Sequence, residues 1–287
     1  MRSLMLKFLT TSIIVLSSVS LWASGNDDNY DPKVVKFLQQ AIAPNENYTF
    51  DKVVIIKKEA LKDIAGWMVY FVRIDLKLTK QQGKTISVND MIFTNGTLMS
   101  KDFADLNNGR SIKGRFSLDM DSKAYNKEHL LAGNFDAPHK IVVFSDPLCP
   151  FCMDFVPEVL ADVTKNPETF ALFYYHFPLN IHPASPTLVK AMLLAEEKGD
   201  KEITQKVYKA YLDIEEKDEQ KILDIFNKTF GKNFTLSEIN QEAILKRVVE
   251  DETLANALMV NGTPTIYFDG KKDETKHQYR KFLKESK

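Results

Sequence analysis

The chain is poor in cysteine: two in 287 residues, Cys149 and Cys152. A protein that relies on disulfides for stability usually spaces several cysteines far apart, because long closed loops restrict the unfolded chain most. A pair two residues apart closes almost no loop, so a structural staple gains little. A C-x2-C zinc site would need histidines as well. Of the five present, His176 and His182 alone lie at ligand spacing, which leaves zinc as the lesser alternative. Charge of either sign is also missing in excess: 38 basic against 39 acidic residues give a formal net charge of −1. That balance recruits neither nucleic acid nor an anionic membrane. The lysine runs are interleaved with acids, as on solvated faces. Beyond the N-terminus no run is long and apolar enough to span a bilayer. There is no internal repeat or low-complexity tract, and 44% hydrophobic with 27% charged residues is globular composition.

The N-terminus decides the compartment. MRSLMLKFLTTSIIVLSSVSLWASGND carries Arg2 and Lys7, an apolar stretch from Phe8 to Leu21, and small residues at Ala23 and Gly25. This is the layout of a secretory signal over residues 1–25, and its apolar core is shorter than the ~20 residues of a spanning helix. Cleavage near Ser24 to Asn26 and a periplasmic location are expected. Loss of Arg2 and Lys7 would take the net charge to −3.

Residues 26–116 read as a helix followed by strands. Asp31 and Pro32 open a helix as N-cap and first position, with Val34, Val35 and Leu38 at helical spacing and Pro44 ending it. YTFDKVVIIKK, GWMVYFVRIDLKL and TISVNDMIFTNGTLMS are rich in β-branched and aromatic residues, with Asn95-Gly96 as a turn. In the second, Phe71, Arg73, Asp75 and Lys77 alternate with Tyr70, Val72, Ile74 and Leu76, which predicts an antiparallel sheet wet on one face. Residues 117–138 are polar, end near Gly133 and Pro138, and read as a linker with a short helix. From His139 onward the order changes. HKIVVFS is a buried strand, PFCMDFVPEVLADVTKN a helix, TFALFYYHFPLN a strand, and residues 185–260 are helical, with a Thr235–Glu238 capping box and a stripe of Ile244, Leu245, Val248 and Val249. TPTIYFDGKK is a final strand, and Glu274 to Ser286 closes as a helix. Strand, helix, strand, inserted helices, strand, helix is a thioredoxin-like order for 139–287.

The cysteines sit at the junction of the first strand and helix of that order. Pro150 suits the first helical position, where its missing N–H costs nothing. Cys149 then lies at the helix N-terminus, where free N–H groups and the helix dipole favour a thiolate. Cys152, one turn on, is placed to resolve a mixed disulfide, so redox chemistry is the leading reading of the pair. Asp146 either accepts a proton near the thiols or caps the helix, and the cap is favoured. His176 reads as structural and His139 as remote from the cysteines.

GNFDAPHKIVVFSDPLCPFC together with VNGTPTIYFDG resembles the exported thiol–disulfide interchange proteins of the DsbC/DsbG family. The stretch from Asp146 to Cys152 is most similar, then Thr263-Pro264, which matches the family's threonine before a cis-proline, then HPASPTLVKAMLLA at the start of the helical insertion. The likeness is good over the C-terminal half and covers the N-terminal half in layout. It implies an α+β cystatin-like N-terminal domain that pairs two subunits, a linker helix, and a thioredoxin-like catalytic domain, together a V-shaped homodimer. It also implies Cys149 as the nucleophile, Cys152 as the resolving thiol, and Pro264 facing them, with the Thr263 backbone free to pair with an extended substrate. Pro157 would kink the active-site helix. Phe151 cannot donate a hydrogen bond to the thiolate as a histidine there would, which implies a lower redox potential.

The resemblance therefore implies an enzyme that isomerises or reduces wrong disulfides in exported proteins, and that can also reduce sulfenylated cysteines. It needs no cofactor, and a membrane reductase of the DsbD type would recharge it. Two alternatives stay open. One is a DsbA-like oxidase that donates its disulfide and is served by a DsbB-type partner. The other is a holdase in which the cysteines are incidental.

Overall fold

In this computed structural model the described residues are 30–42, 46–80 and 83–283. The expected export signal lies outside them. Among them, no helix is long and apolar enough to cross a membrane.

α1 (Asp31–Ile42) packs on a four-stranded antiparallel sheet of order β1-β2-β3-β4, formed by Tyr48–Ala60, Met68–Leu78, Thr85–Thr94 and Met99–Ser100. The alternation in β2 sets the layers. Tyr70, Val72, Ile74 and Leu76 meet Val34 and Leu38 of α1. Asp31, expected just before the helix, is its first residue. Its carboxylate accepts from the Tyr70 hydroxyl at 3.0 Å and from Lys58 at 3.2 Å, which ties the helix start to the sheet.

The opposite face of β2 reaches water only at one end, through Arg73 and Lys77, contrary to the alternation pattern. Asp75 between them is buried, accepting from the Ser87 hydroxyl at 2.6 Å with Arg73 at 3.2 Å. At the other end Val69 and Phe71, with Met91 and Phe93 of β3, enter a core that also holds Val142, Phe144, Phe173 and Tyr267 from the C-terminal half. Each such buried side chain is worth about 1.5–3 kcal/mol relative to exposure, so the two halves are joined by a substantial apolar contact.

The stretch 117–138 is not a free linker, and no α-helix forms in it. Leu118, Met120 and Ala124 insert into the shared core, and the Met120 N–H donates to the Gly270 carbonyl at 2.8 Å. Two 3-10 turns follow, Ser122–Ala124 and Lys127–His129. Leu130–Gly133 is then strand β5 of the second sheet. The apolar residues are too sparse among polar neighbours to show a period, and tertiary contacts decide their placement. The C-terminal half thus begins before residue 139.

β6 (His139–Ser145), β7 (Phe170–His176), β8 (Thr265–Phe268) and β9 (Lys271–Lys272) join β5 in the second sheet, of order β5-β7-β6-β8-β9. β6 runs parallel to β7, pairing Ser145 with His176, and antiparallel to β8. Parallel neighbours need a crossover, supplied by α2 (Pro150–Lys165). β5 reaches β7 through Gly133, whose φ is 82° and where a Cβ would stand 2.0 Å from the Phe170 carbonyl oxygen. Between β7 and β8 come α3 (Ser185–Glu197), α4 (Ile203–Ala210), α5 (Glu219–Phe230), α6 (Leu236–Ile239) and α7 (Glu242–Ala257). With α2 they cover Ile141, Val143, Leu172 and Tyr174. The Thr235–Glu238 capping box forms. In α7 Ile244 and Val248 face the core while Leu245 and Val249 are exposed, so the stripe is half as wide as the sequence suggests. The C-terminal segment forms a 3-10 turn, Gln278–Phe282, in place of the expected helix. Asp273 accepts from the N–H groups of Thr275 and Gln278, and holds the chain in a loop after β9.

Candidate active site

β6 ends at Ser145, and the next residue anchors the whole site. Asp146 is fully buried. One carboxylate oxygen accepts from the Leu148 N–H and the Ser185 hydroxyl, both at 2.7 Å; the other accepts from the Leu179 N–H at 2.6 Å and lies 3.0 Å from His182 Nδ1. It therefore ties the turn before the cysteines to the loop that opens the helical insertion. It does not cap α2. The N-cap is Cys149, with no side-chain hydrogen bond, and Pro150 occupies the first helical position. Pro157 lies inside α2, which continues to Lys165.

The two sulfurs differ in environment. Both are free thiols. Cys149 is 4% exposed and Cys152 0%, so the first sulfur keeps a small opening to solvent and the second has none. The Thr263-Pro264 bond is cis, and the Thr263 carbonyl lies 3.6 Å from Cys149 Sγ. The Thr263 hydroxyl is buried and has no hydrogen-bond partner among the described residues. The Cys149 pKa is lowered to about 5. The chief cause is hydrogen bonding from Cys152; burial opposes it, and Thr263 and the N–H groups of Cys152 and Phe151 lower it further. Burial pushes the Cys152 thiol well up, and its hydrogen bond to Cys149 adds to that. One sulfur is an anion at neutral pH and the other keeps its proton. Phe151, between them, is 71% exposed and offers solvent an apolar ring.

Behind Cys152 lies a group that sequence reasoning missed. The Ser145 hydroxyl faces Cys152 and favours its thiolate, and it lies 2.6 Å from the Tyr208 hydroxyl, which in turn is 2.7 Å from that of Tyr174. Tyr208 comes from α4, and no local motif marks it. His182 and Ser185 were likewise not assigned to the site. His176 is buried as a structural residue would be. Its N–H donates to Asp251, whose other oxygen lies 2.6 Å from His129 Nε2, but neither ring nitrogen has a partner among the described residues. His139, at the start of β6, pairs with Asp269 at the far end of the strand. A groove of about 640 Å³ begins at Leu148 and Pro150 and runs between Ile181 and Pro183 on one side and Leu212 and Ile214 on the other.

A mixed sheet with α2 crossing between β6 and β7, a C-x2-C turn opening that helix, and a cis-proline bond before β8 define a thioredoxin-like fold. The thioredoxin family model matches residues 125–285, and the chain belongs to that family. The match begins within the stretch expected as linker, in agreement with β5. Comparison with curated proteins gave no match. Among solved structures, the chain is similar to ScsC of Proteus mirabilis in a transitional conformation (21% identity, 56% of this chain and 72% of that one, TM-score 0.44). It is also similar to oxidised BdbD of Bacillus subtilis (18%, 58% and 92%, TM-score 0.43) and to a putative protein-disulfide isomerase of Pseudomonas syringae (13%, 53% and 91%, TM-score 0.45). At these values the likenesses carry no argument about activity.

Proposed function

We propose that this protein is an exported thiol–disulfide oxidoreductase of the DsbC/DsbG kind that isomerises or reduces incorrect protein disulfides through Cys149. The observation that carries the reading is the asymmetric pair: a Cys149 thiol with a pKa of about 5 beside a fully buried, protonated Cys152. The thiolate attacks one sulfur of a substrate disulfide, the S–S bond breaks, and the other substrate sulfur leaves with the electron pair. The mixed disulfide then has two fates. A substrate thiolate attacks the substrate sulfur and frees Cys149, which is isomerisation. Alternatively Cys152 attacks Cys149 and releases reduced substrate, and the Cys149–Cys152 disulfide awaits a membrane reductase. With a sulfenylated substrate the same attack expels hydroxide, which leaves as water after taking a proton. Thr263 offers backbone groups for an extended substrate beside the sulfur. Phe151 and Ile181 supply exposed apolar side chains of the kind that unfolded exported chains can cover, and the groove from Leu148 to Lys217 adds polar groups such as Asn180, Asp213 and Lys217.

The low Cys149 pKa also favours the oxidase reading, because stabilising the thiolate favours the reduced form and makes the disulfide a better oxidant. A second copy paired through the N-terminal sheet, where β1 is an edge strand, completes the proposed homodimer. The test is a Cys152→Ala variant in the periplasm of the host: it should accumulate mixed disulfides that Cys149→Ala does not form. Their absence overturns the reading. Thiol trapping of the natural protein gives the direction: a reduced pair supports isomerase or reductase, an oxidised pair the oxidase.

A further inference from the structure

Cys152 must lose its proton to close on Cys149, yet it has no solvent-exposed surface. Burial is the main force holding its proton on, and the Ser145 hydroxyl opposes it. The groups facing Cys152 are Cys149 from the start of α2, Ser145 and the Asp146 N–H from the end of β6, Thr263 before β8, Tyr174 from β7 and Tyr208 from α4. Asp146 is the nearest acid in sequence, but its carboxylate is engaged by Leu148, Leu179, His182 and Ser185. It is not available as a base.

We propose that Ser145, Tyr208 and Tyr174 form a relay that carries the Cys152 proton to a cavity at His176. The two hydroxyl-to-hydroxyl links are short: 2.6 Å from Ser145 Oγ to the Tyr208 hydroxyl and 2.7 Å from there to the Tyr174 hydroxyl. Each hydroxyl both donates and accepts, so a proton entering at Ser145 displaces one at each link in turn. Tyr174 and His176, whose rings meet edge-on at 4.9 Å, both line a cavity of about 220 Å³ with Glu196, Lys201 and Arg247. The His176 nitrogens are buried and unpartnered among the described residues, which makes this imidazole the base at the end of the chain. Burial holds it neutral; Glu196 and Asp251 favour its cation, while Arg247 and His129 disfavour it.

The proposal rests on the thiol–disulfide reading above. In the closing step the Cys152–Cys149 bond forms and the bond from Cys149 to the substrate breaks, with the electron pair leaving on the substrate sulfur. One proton leaves Cys152 for Ser145, one passes from Ser145 to Tyr208, one from Tyr208 to Tyr174, and one from Tyr174 across the shared cavity to the neutral His176 imidazole, which becomes imidazolium. The released thiolate is protonated from solvent. Ser145 faces the reacting Cys152 sulfur; Tyr208 and Tyr174 are positioning residues that act through it.

The experiment uses the full chain with Cys149 loaded as its mixed disulfide with glutathione, and follows glutathione release as Cys152 closes, across pH. Tyr208→Phe keeps the ring and removes the middle hydroxyl. The ratio of the closing rate to the loading rate should fall about tenfold at neutral pH, and the closing profile should move up by about one pH unit, the equivalent of that factor. Closure by the parent should be slower in heavy water, with the effect diminished in the variant. An unchanged ratio and profile overturn the relay. If Tyr208→Phe does not fold, Tyr174→Phe and the parent's own isotope effect are read the same way. If the parent cannot be loaded with glutathione at all, the thiol–disulfide reading fails, a result distinct from failure of the relay.

Discussion

The Cys149 pKa of about 5 makes a prediction that is sharp at low pH and almost silent at neutral pH. Against an ordinary thiol with the reference value of 9.0, the thiolate fraction at pH 7 rises from about 1% to about 99%, on the order of 100-fold. A less basic thiolate is also a weaker nucleophile. With a Brønsted slope of about 0.4–0.5, four units of lowering reduce its intrinsic rate roughly 40- to 100-fold. The two effects nearly cancel at pH 7. At pH 5 they do not: half of Cys149 is ionised against about one part in ten thousand of the ordinary thiol, so the net advantage is on the order of 50- to 100-fold. The sign follows from the lowered value: reactivity is complete above pH 6 and is lost as pH falls through 5. The assay is the rate of attack on a small disulfide between pH 4 and 9. Only Cys149 contributes, since burial leaves Cys152 protonated and closed off. A rate that keeps rising through pH 8 with no plateau refutes the reasoning. Because hydrogen bonding from Cys152 is the largest cause of the lowering, Cys152→Ala should move the midpoint up, and Cys152→Ser, which keeps a donor, should move it less.

Asp146→Asn replaces an oxygen that accepts buried donors by an NH2 group that opposes them, and should cost about 3 kcal/mol in urea unfolding. Gly133→Ala combines a left-handed φ with a Cβ 2.0 Å from a backbone carbonyl, and should cost at least ~3 kcal/mol; Gly231→Ala, also left-handed but with nothing within 4 Å, should cost about 1 kcal/mol. A fragment starting at residue 139 lacks β5 and uncovers Val142, Phe144 and Phe173, so it should bind a hydrophobic dye and unfold without cooperativity. A sharp two-state transition for that fragment would contradict the shared core.

The layout of the candidate site was legible because it is compressed into two short strings. Ser145 to Phe155 holds a strand end, both thiols and the helix start, and Gly262 to Phe268 holds the cis-proline and its strand. What was not legible depends on long-range contact. Tyr208 lies 63 residues from Ser145 and 34 from Tyr174, and helical spacing alone marks it as one more core aromatic. Asp146 looked like a cap because it precedes a helix, but the turn directs its carboxylate to Leu179, His182 and Ser185. The alternation in β2 correctly gave a strand and an apolar face for α1. It could not show that Val69 and Phe71 on the other face would meet Phe144 and Tyr267, since alternation reports which face a residue takes and not what covers it.

That covered face bears on how the proposed enzyme handles its substrate. A catalytic domain on a free linker could swing about residues 117–138, but here Leu118, Met120 and Ala124 are in the core and Met120 is hydrogen-bonded to Gly270. The Asn89 side chain also donates to the Asn256 carbonyl at 2.7 Å, linking β3 to the end of α7. Bending there would expose apolar side chains worth about 1.5–3 kcal/mol each, so the orientation of Cys149 relative to the N-terminal sheet is held by packing. In the proposed dimer joined through that sheet, the spacing of the two thiolates would then be set by the protein and not by the substrate. Adaptation to different misfolded chains would then fall to the substrate and to the exposed parts of the site: Phe151, Ile181 and the groove ending at Ile214. A rigid nucleophile with a mixed apolar and polar surround suits unfolded substrates, whose own flexibility supplies the motion that exchange requires.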